Sequence, residues 1–424
     1  MSRRCTTGSD RSAHLEAMSH FTAGIELLKS LPETLARTQQ ALTLHIALGS
    51  AVQMAKGLAA PEVEHAYTQA YALCQQVGET PELAPILYGL WRFYAVRLQL
   101  HTAREIGDML LRLVQYTDEP ALAVIAHNAL GVTCLYLGAL PAARQHLEAG
   151  IAHYTPEQRH TPAFRIGHDP GVACRVHAAL TCWLLGYPAQ ALAHLHEALA
   201  LAHALMHPSS LAFAQRWAAH VYQLRRDVPA VYEHAEAAVT LATEQGFPLW
   251  VAMGASLQGW ARAMQGEGEA GMAQVRQGIA AWRATGAALA LPFLCTLLAE
   301  VANDLGHTED GLQALVEAYT VVEQHEERDW EAEVYRLRGV LLLRQPGTPP
   351  AEAEAWLQRA LDVARRQEAK SLELRAAMSL SRLWQQQGKQ AAARALLAPV
   401  YDWFTEGFDT ADLQEARALL EELR

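Results

Sequence analysis

Short Gly- or Pro-bearing turns break the runs of helix-forming residues at a nearly constant interval. They fall at Gly138, Gly186, Arg226, Gly266, Gly306, Thr348 and Gly388, in steps of 48, 40, 40, 40, 42 and 40 residues. A fixed period of this size is the signature of a supersecondary unit that buries its apolar face by stacking on copies of itself. A second regularity is independent of the turns. Five residues after each turn stand Ala143, Ala191, Val231, Gly271, Gly311, Ala353 and Ala393, and twelve after it stand Gly150, Ala198, Ala238, Gly278, Ala318, Ala360 and Val400. The seven-residue offset between these columns is two helical turns, so both lie on one helix face. Small side chains there let a second helix approach the first closely.

Proline marks where each new first helix begins, because it fits the first turn of a helix and not its interior. Glu79-Thr80-Pro81, Asp118-Glu119-Pro120, Asp169-Pro170-Gly171, His207-Pro208 and Gly246-Phe247-Pro248 supply it; later units use Gly286, Arg328-Asp329 and Lys370-Ser371. Each unit is then two antiparallel helices, and the expected fold is all-α: a right-handed α-solenoid of helix pairs, TPR-like, with a period of about 40 residues instead of ~34. Leu312, Leu315, Val316, Tyr319 and Val322 give one second helix the apolar stripe such packing needs.

With 424 residues, 51% of them hydrophobic, the chain exceeds what one globular core accommodates (~250–300 residues), which also favours an extended array. The net charge of −11, with no run of Lys or Arg, makes nucleic acid and anionic membrane poor partners. Six cysteines without a CxxC pair sit mostly in apolar patterns and suit buried thiols in a reducing cytosol. The N-terminus carries no apolar signal region, and the longest apolar stretch, Ala287 to Ala299, is short of a membrane span. A cytoplasmic protein is expected.

Residues 1–13 are polar and expected to be disordered. Residues 14–120 read as looser repeats, 121–402 as regular ones, and 403–424 as a capping helix with an acidic outer face. The long step contains an insertion at 154–170, with Arg159, His160, Arg165 and His168. Insertions in solenoids fall on one face, often a binding face, although such a loop can equally pack across neighbouring repeats. Several first helices carry a tryptophan (Trp91, Trp183, Trp217, Trp260, Trp384), which packs between helices or lines a groove. Trp183 and Trp217, with the four insertion residues, are the candidate partner-binding set. The expected partner is a protein or peptide in the concave face formed largely by first helices.

Catalytic motifs fail on inspection. Gly266-Glu-Gly-Glu-Ala-Gly271 spells GxGxxG, but it follows a helix and would set Glu267 and Glu269 against a pyrophosphate. Gly24 to Ser30 lacks the second glycine of a phosphate loop. His196, His203 and His207 share a helix face without a carboxylate partner, and Cys174, His177 and Cys182 read as buried packing. No nucleophile–base pair falls in register. The expectation is a non-enzyme with no cofactor and no metal.

A set of short segments nevertheless resembles one family. Leu31-Pro-Glu-Thr-Leu-Ala-Arg37, Ala60-Pro-Glu-Val-Glu-His-Ala-Tyr67, Asp169-Pro-Gly-Val-Ala-Cys174, Glu244-Gln-Gly-Phe-Pro-Leu-Trp250, Trp330-Glu-Ala-Glu-Val-Tyr-Arg-Leu-Arg-Gly339 and Trp403-Phe-Thr-Glu-Gly-Phe-Asp-Thr-Ala-Asp412 occur in order. Together they are similar to the C-terminal repeat region of large bacterial signalling proteins that join a class III adenylate/guanylate cyclase domain to an AAA/STAND-type ATPase and then to tetratricopeptide-like repeats. The likeness runs from about residue 25 to the C-terminus. It implies a sensor, scaffold or regulatory arm, with an ATPase or cyclase module acting in cis or in trans. No residue here corresponds to the cyclase or ATPase machinery. A small-molecule-sensing repeat domain is the alternative.

Overall fold

The computed structural model describes residues 6–78, 81–116, 119–155, 157–158 and 167–424, with side chains from residue 15. Among these residues the regular structure is helical, and strands are absent. After α1 (Thr6–Lys29) come nine hairpins: α2 (Leu35–Lys56) with α3 (Pro61–Val77), α4 (Leu83–Val96) with α5 (Leu100–Val114), α6 (Pro120–Tyr136) with α7 (Leu140–His153), α8 (Pro170–Leu184) with α9 (Pro188–Leu205), and α10 (Pro208–Arg225) with α11 (Val228–Gln245). The series continues with α12 (Pro248–Met264) and α13 (Gly268–Ala284), α14 (Leu291–Leu305) and α15 (Thr308–His325), α16 (Glu331–Leu342) and α17 (Pro350–Arg366), α18 (Lys370–Gln386) and α19 (Gln390–Asp402), then α20 (Ala411–Glu422). The chain is a right-handed, TPR-like α-solenoid.

Local chemistry explains the punctuation. Gly138, Gly186, Gly266, Gly306 and Gly388 all have φ between 75° and 102°, the left-handed region that glycine enters without a Cβ penalty. Arg226 adopts φ 59° without that help, and near Thr348 the positive φ falls one residue earlier, on Gly347. Both small-residue columns are buried along their whole length. The tightest approach is α12 against α13, where a Cβ on Gly278 would lie 2.1 Å from Ser256 Oγ and 2.9 Å from the Ala252 carbonyl oxygen.

Two sequence expectations change. Residues 6–13 are helical, because they extend the helix-forming run from His14 and adding residues to a helix costs far less than starting one. The acidic face of α20 looks outward at Glu421 and Glu422 but turns inward at the start of the helix. Asp412 accepts from Arg375 Nε at 2.7 Å and pairs with Arg226 at 2.9 Å, and Glu415 pairs with Arg226 at 2.7 Å.

Those contacts belong to a longer seam. The last carbonyls of a helix have no partner within it. Here four first helices find theirs four or five repeats further along the chain. Val96 O at the end of α4 accepts from Ala288 N at 2.9 Å, just before α14. Tyr136 O, ending α6, accepts from Arg328 N at 2.7 Å, before α16. Trp183 O in α8 accepts from Ser371 Oγ at 2.5 Å in α18, and Leu224 O in α10 accepts from Arg375 Nη2 at 2.9 Å. The superhelix thus winds tightly enough for its two halves to touch, and first helices line an interior in place of an open concave groove.

Candidate binding chamber inside the superhelix

Spacing along the first helices sets what faces the interior. Phe213, Arg216 and Trp217 stand at i, i+3 and i+4 on α10; Asn128, Val132 and Tyr136 at i, i+4 and i+8 on α6; Trp250 and Met253 at i and i+3 on α12. Such offsets put each set on one face. With Trp91 and Arg92 of α4, His177 of α8 and Trp282 at the end of α13, they surround a cavity of about 100 Å³. His168, from the segment before α8, and Leu289 and Ala290, from the segment before α14, also line it. A smaller hollow of about 40 Å³ adjoins it and shares Leu58, Arg92, Leu249 and Trp250.

The walls are aromatic. His168 stacks on Phe213 with centroids 3.8 Å apart, and Phe213 contacts Trp217 at 6.2 Å and Trp250 at 5.9 Å. Trp217 stacks on His220 at 5.3 Å, which stacks on Phe293 at 3.8 Å. Burial holds His168 and His220 well below the ordinary imidazole range and His177 down at about 3, so all three are neutral at pH 7.

Arg216 is the exception to this neutrality. Its guanidinium lies over the Trp217 ring at 3.8 Å and the Phe213 ring at 5.4 Å, and among the described residues it makes no hydrogen bond or ion pair. Burial brings it down to about 10, the nearby Tyr136 only partly opposing the shift. Among the described residues, three lining side chains also bury donor atoms that meet no protein acceptor, Arg216 Nε, Trp217 Nε1 and Trp282 Nε1, and the neutral His168 leaves its Nδ1 unpartnered. Arg92 is engaged differently, its guanidinium lying against the turn at Gly167. The chamber is therefore apolar-walled, positive and rich in donors.

A second hollow of about 230 Å³ lies between α12, α14, α16, α18 and α20. Its buried arginines are paired with carboxylates. Arg336 grips Glu333 through Nε at 2.8 Å and Nη2 at 2.7 Å, and Arg375 reaches Glu333 at 3.4 Å and Asp412 at 2.7 Å. Glu300 accepts from Trp260 Nε1 at 2.8 Å and Gln223 Nε2 at 3.1 Å. Burial pushes the Glu333 carboxyl up, but Arg336 and Arg375 outweigh it and hold it at about 2.

Of the residues singled out in the sequence, Trp217 and His168 meet at the chamber. Trp183 does not line it: Trp183 packs 6.4 Å from Trp330 under the Arg375 guanidinium, inside the seam. Arg159, His160 and Arg165 lie outside the described residues. Sequence reasoning missed Arg216, Asn128, Trp250 and Trp282. The signal for Arg216 was present: a charge next to a tryptophan and three residues from Phe213, on the face that must be apolar.

No family model matches the chain. An uncharacterized protein of Rhizobium meliloti (strain 1021) is 24% identical over 379 residues, which is 88% of this chain and 36% of that protein. The chain spans about a third of the length of this relative. Among solved structures, a Rap protein complexed with competence and sporulation factor has a TM-score of 0.55 at 12% identity, covering 99% of both chains. NprR in complex with its cognate peptide NprX has a TM-score of 0.58 at 14% identity, over 86% of this chain and 98% of its own. These likenesses concern the fold, a TPR-like helical-repeat solenoid.

Proposed function

We propose that this chain is a non-catalytic regulatory module that binds a protein or peptide within its superhelix. The observation that carries the reading is the seam. Repeats four or five apart are joined by carbonyl caps, so an occupant between the first helices sets how far the two halves close. A ligand that prefers one degree of closure shifts the population toward it, and that shift is the signal a partner domain reads. The Rap and NprR structures, solved with a factor and a peptide, support the proposal by sharing the architecture. The family resemblance adds that the partner is an ATPase or cyclase module in the same chain or a second one. A relative about two and a half times as long agrees with a regulatory segment of a larger protein.

The test is selection from a displayed peptide library, followed by solution scattering of the chain with and without the selected peptide. Saturable binding with a change in radius of gyration supports the proposal. Failure to enrich any peptide, with a small metabolite binding tightly instead, would overturn it. That outcome is the second reading, a small-molecule sensor, which the modest volume of the chamber favours.

A further inference from the structure

We infer that the chamber is an anion subsite that takes a carboxylate carried on a small apolar body, with Arg216 as its counter-ion. The inference rests on the interior being the binding surface and goes further by naming the chemistry of what enters.

Three observations converge. Arg216 is a buried cation with ring faces beneath it and, among the described residues, no ion-pair partner, which is costly unless an anion completes it. The orphaned atoms around it on Trp217 and Trp282 are donors; indole and guanidinium nitrogens have no acceptor capacity, so the partner that completes them brings acceptor atoms, which a carboxylate's oxygens supply. The histidines that share the walls are neutral and add no competing charge. Size sets the rest. The chamber and its annex together fall just below the ~150 Å³ that accommodates one benzene ring. The aromatic walls therefore fit a single ring or a short branched chain, and a planar carboxylate suits the guanidinium fork. The source is either a free monocyclic acid or the last residue of a peptide, its side chain in the apolar part and its terminal carboxylate at Arg216.

The experiment uses the full chain and four probes: benzoate, phenylacetate, a pentapeptide ending in Phe with a free carboxylate, and the same peptide amidated. Affinity is read by calorimetry on the natural chain, Arg216→Met and Arg216→Lys. Saturable binding of at least one free-carboxylate probe is expected. It weakens about tenfold or more in Arg216→Met, the scale of one charge-assisted hydrogen bond, and partly recovers in Arg216→Lys. Small acids binding without the peptide identifies a metabolite; the acid-ended peptide binding identifies a chain terminus. Equal binding of amidated and free peptide, or binding unchanged in Arg216→Met, would overturn the subsite and leave the peptide-binding function standing. Absence of binding by all four probes would also overturn the subsite, while the library selection above decides the broader function separately.

Discussion

The interior of this solenoid contains two hollows built from equivalent first-helix positions, and they treat charge in opposite ways. In the basin between α12 and α20, Glu333, Arg336, Arg375 and Asp412 form a closed network in which every buried charge meets its opposite. In the chamber between α4 and α13, Arg216 is buried among rings with nothing but π-faces to lean on. A paired network is what a protein uses to hold itself together. An unanswered charge lowers stability and is retained where something else supplies the counter-charge. The basin is therefore read as a fastening between the two halves of the superhelix, and the chamber as the place where a ligand acts.

The comparison is most exposed to failure at Arg375. Arg375→Met leaves Glu333 to Arg336 alone and Asp412 to Arg226 alone, and removes the donor to Leu224 O, so it should cost about 3 kcal/mol, measured by urea unfolding. A loss below about 1 kcal/mol would mean the basin is not a fastening. Next comes the chamber's back wall. Gly278→Ala drives a methyl into Ser256 Oγ and the Ala252 carbonyl and should cost about 1–3 kcal/mol in the same assay. It should also change the fluorescence of Trp250 and Trp282 while sparing Trp260 in the basin.

The rim between the regions offers a pH test. Burial raises the carboxyls of Glu327 and Asp329 above the ordinary range, and each raises the cost of ionising the other. The folded state then binds protons more tightly than the unfolded chain. Stability falls as pH rises from the ordinary carboxylate value of ~4 until the folded groups have ionised. Asp329→Asn should flatten that fall by about 1–2 kcal/mol between pH 5 and 8, read from denaturation midpoints. The smallest effect is at the seam, where Ser371→Ala removes one hydrogen bond to Trp183 O and should cost about 1 kcal/mol.

The repeat was legible in the sequence because its cause is local. A left-handed glycine ends most first helices, a proline starts many of the next ones, and the small residues at Gly271 and Gly278 permit close packing whatever lies elsewhere. The seam was not legible, since its acceptors are backbone carbonyls that leave no trace in residue type, and its donors lie many repeats away. Trp183 and Trp217 are both first-helix tryptophans, but Trp183 stands three residues before its turn and Trp217 nine before its own. The winding of the superhelix sends one into the seam and the other to the chamber. The inward pairing at the start of α20 was hidden for the same reason: Arg226, which pairs with Asp412 and Glu415, lies nearly two hundred residues upstream.

The central claim is that charge in the chamber awaits a ligand while charge in the basin supports the fold. It is tested most directly by comparing ligand-free urea unfolding of Arg216→Met and Arg375→Met side by side. With Arg216 brought down to about 10, its charged form is disfavoured by about 3 kcal/mol at ~1.4 kcal/mol per pKa unit, a cost its contacts with Trp217 and Phe213 offset in part. Arg216→Met should therefore leave the chain as stable or up to about 2 kcal/mol more stable, while Arg375→Met loses several. Comparable destabilisation by both substitutions would contradict the account, because it would mean that Arg216 is already answered within the fold.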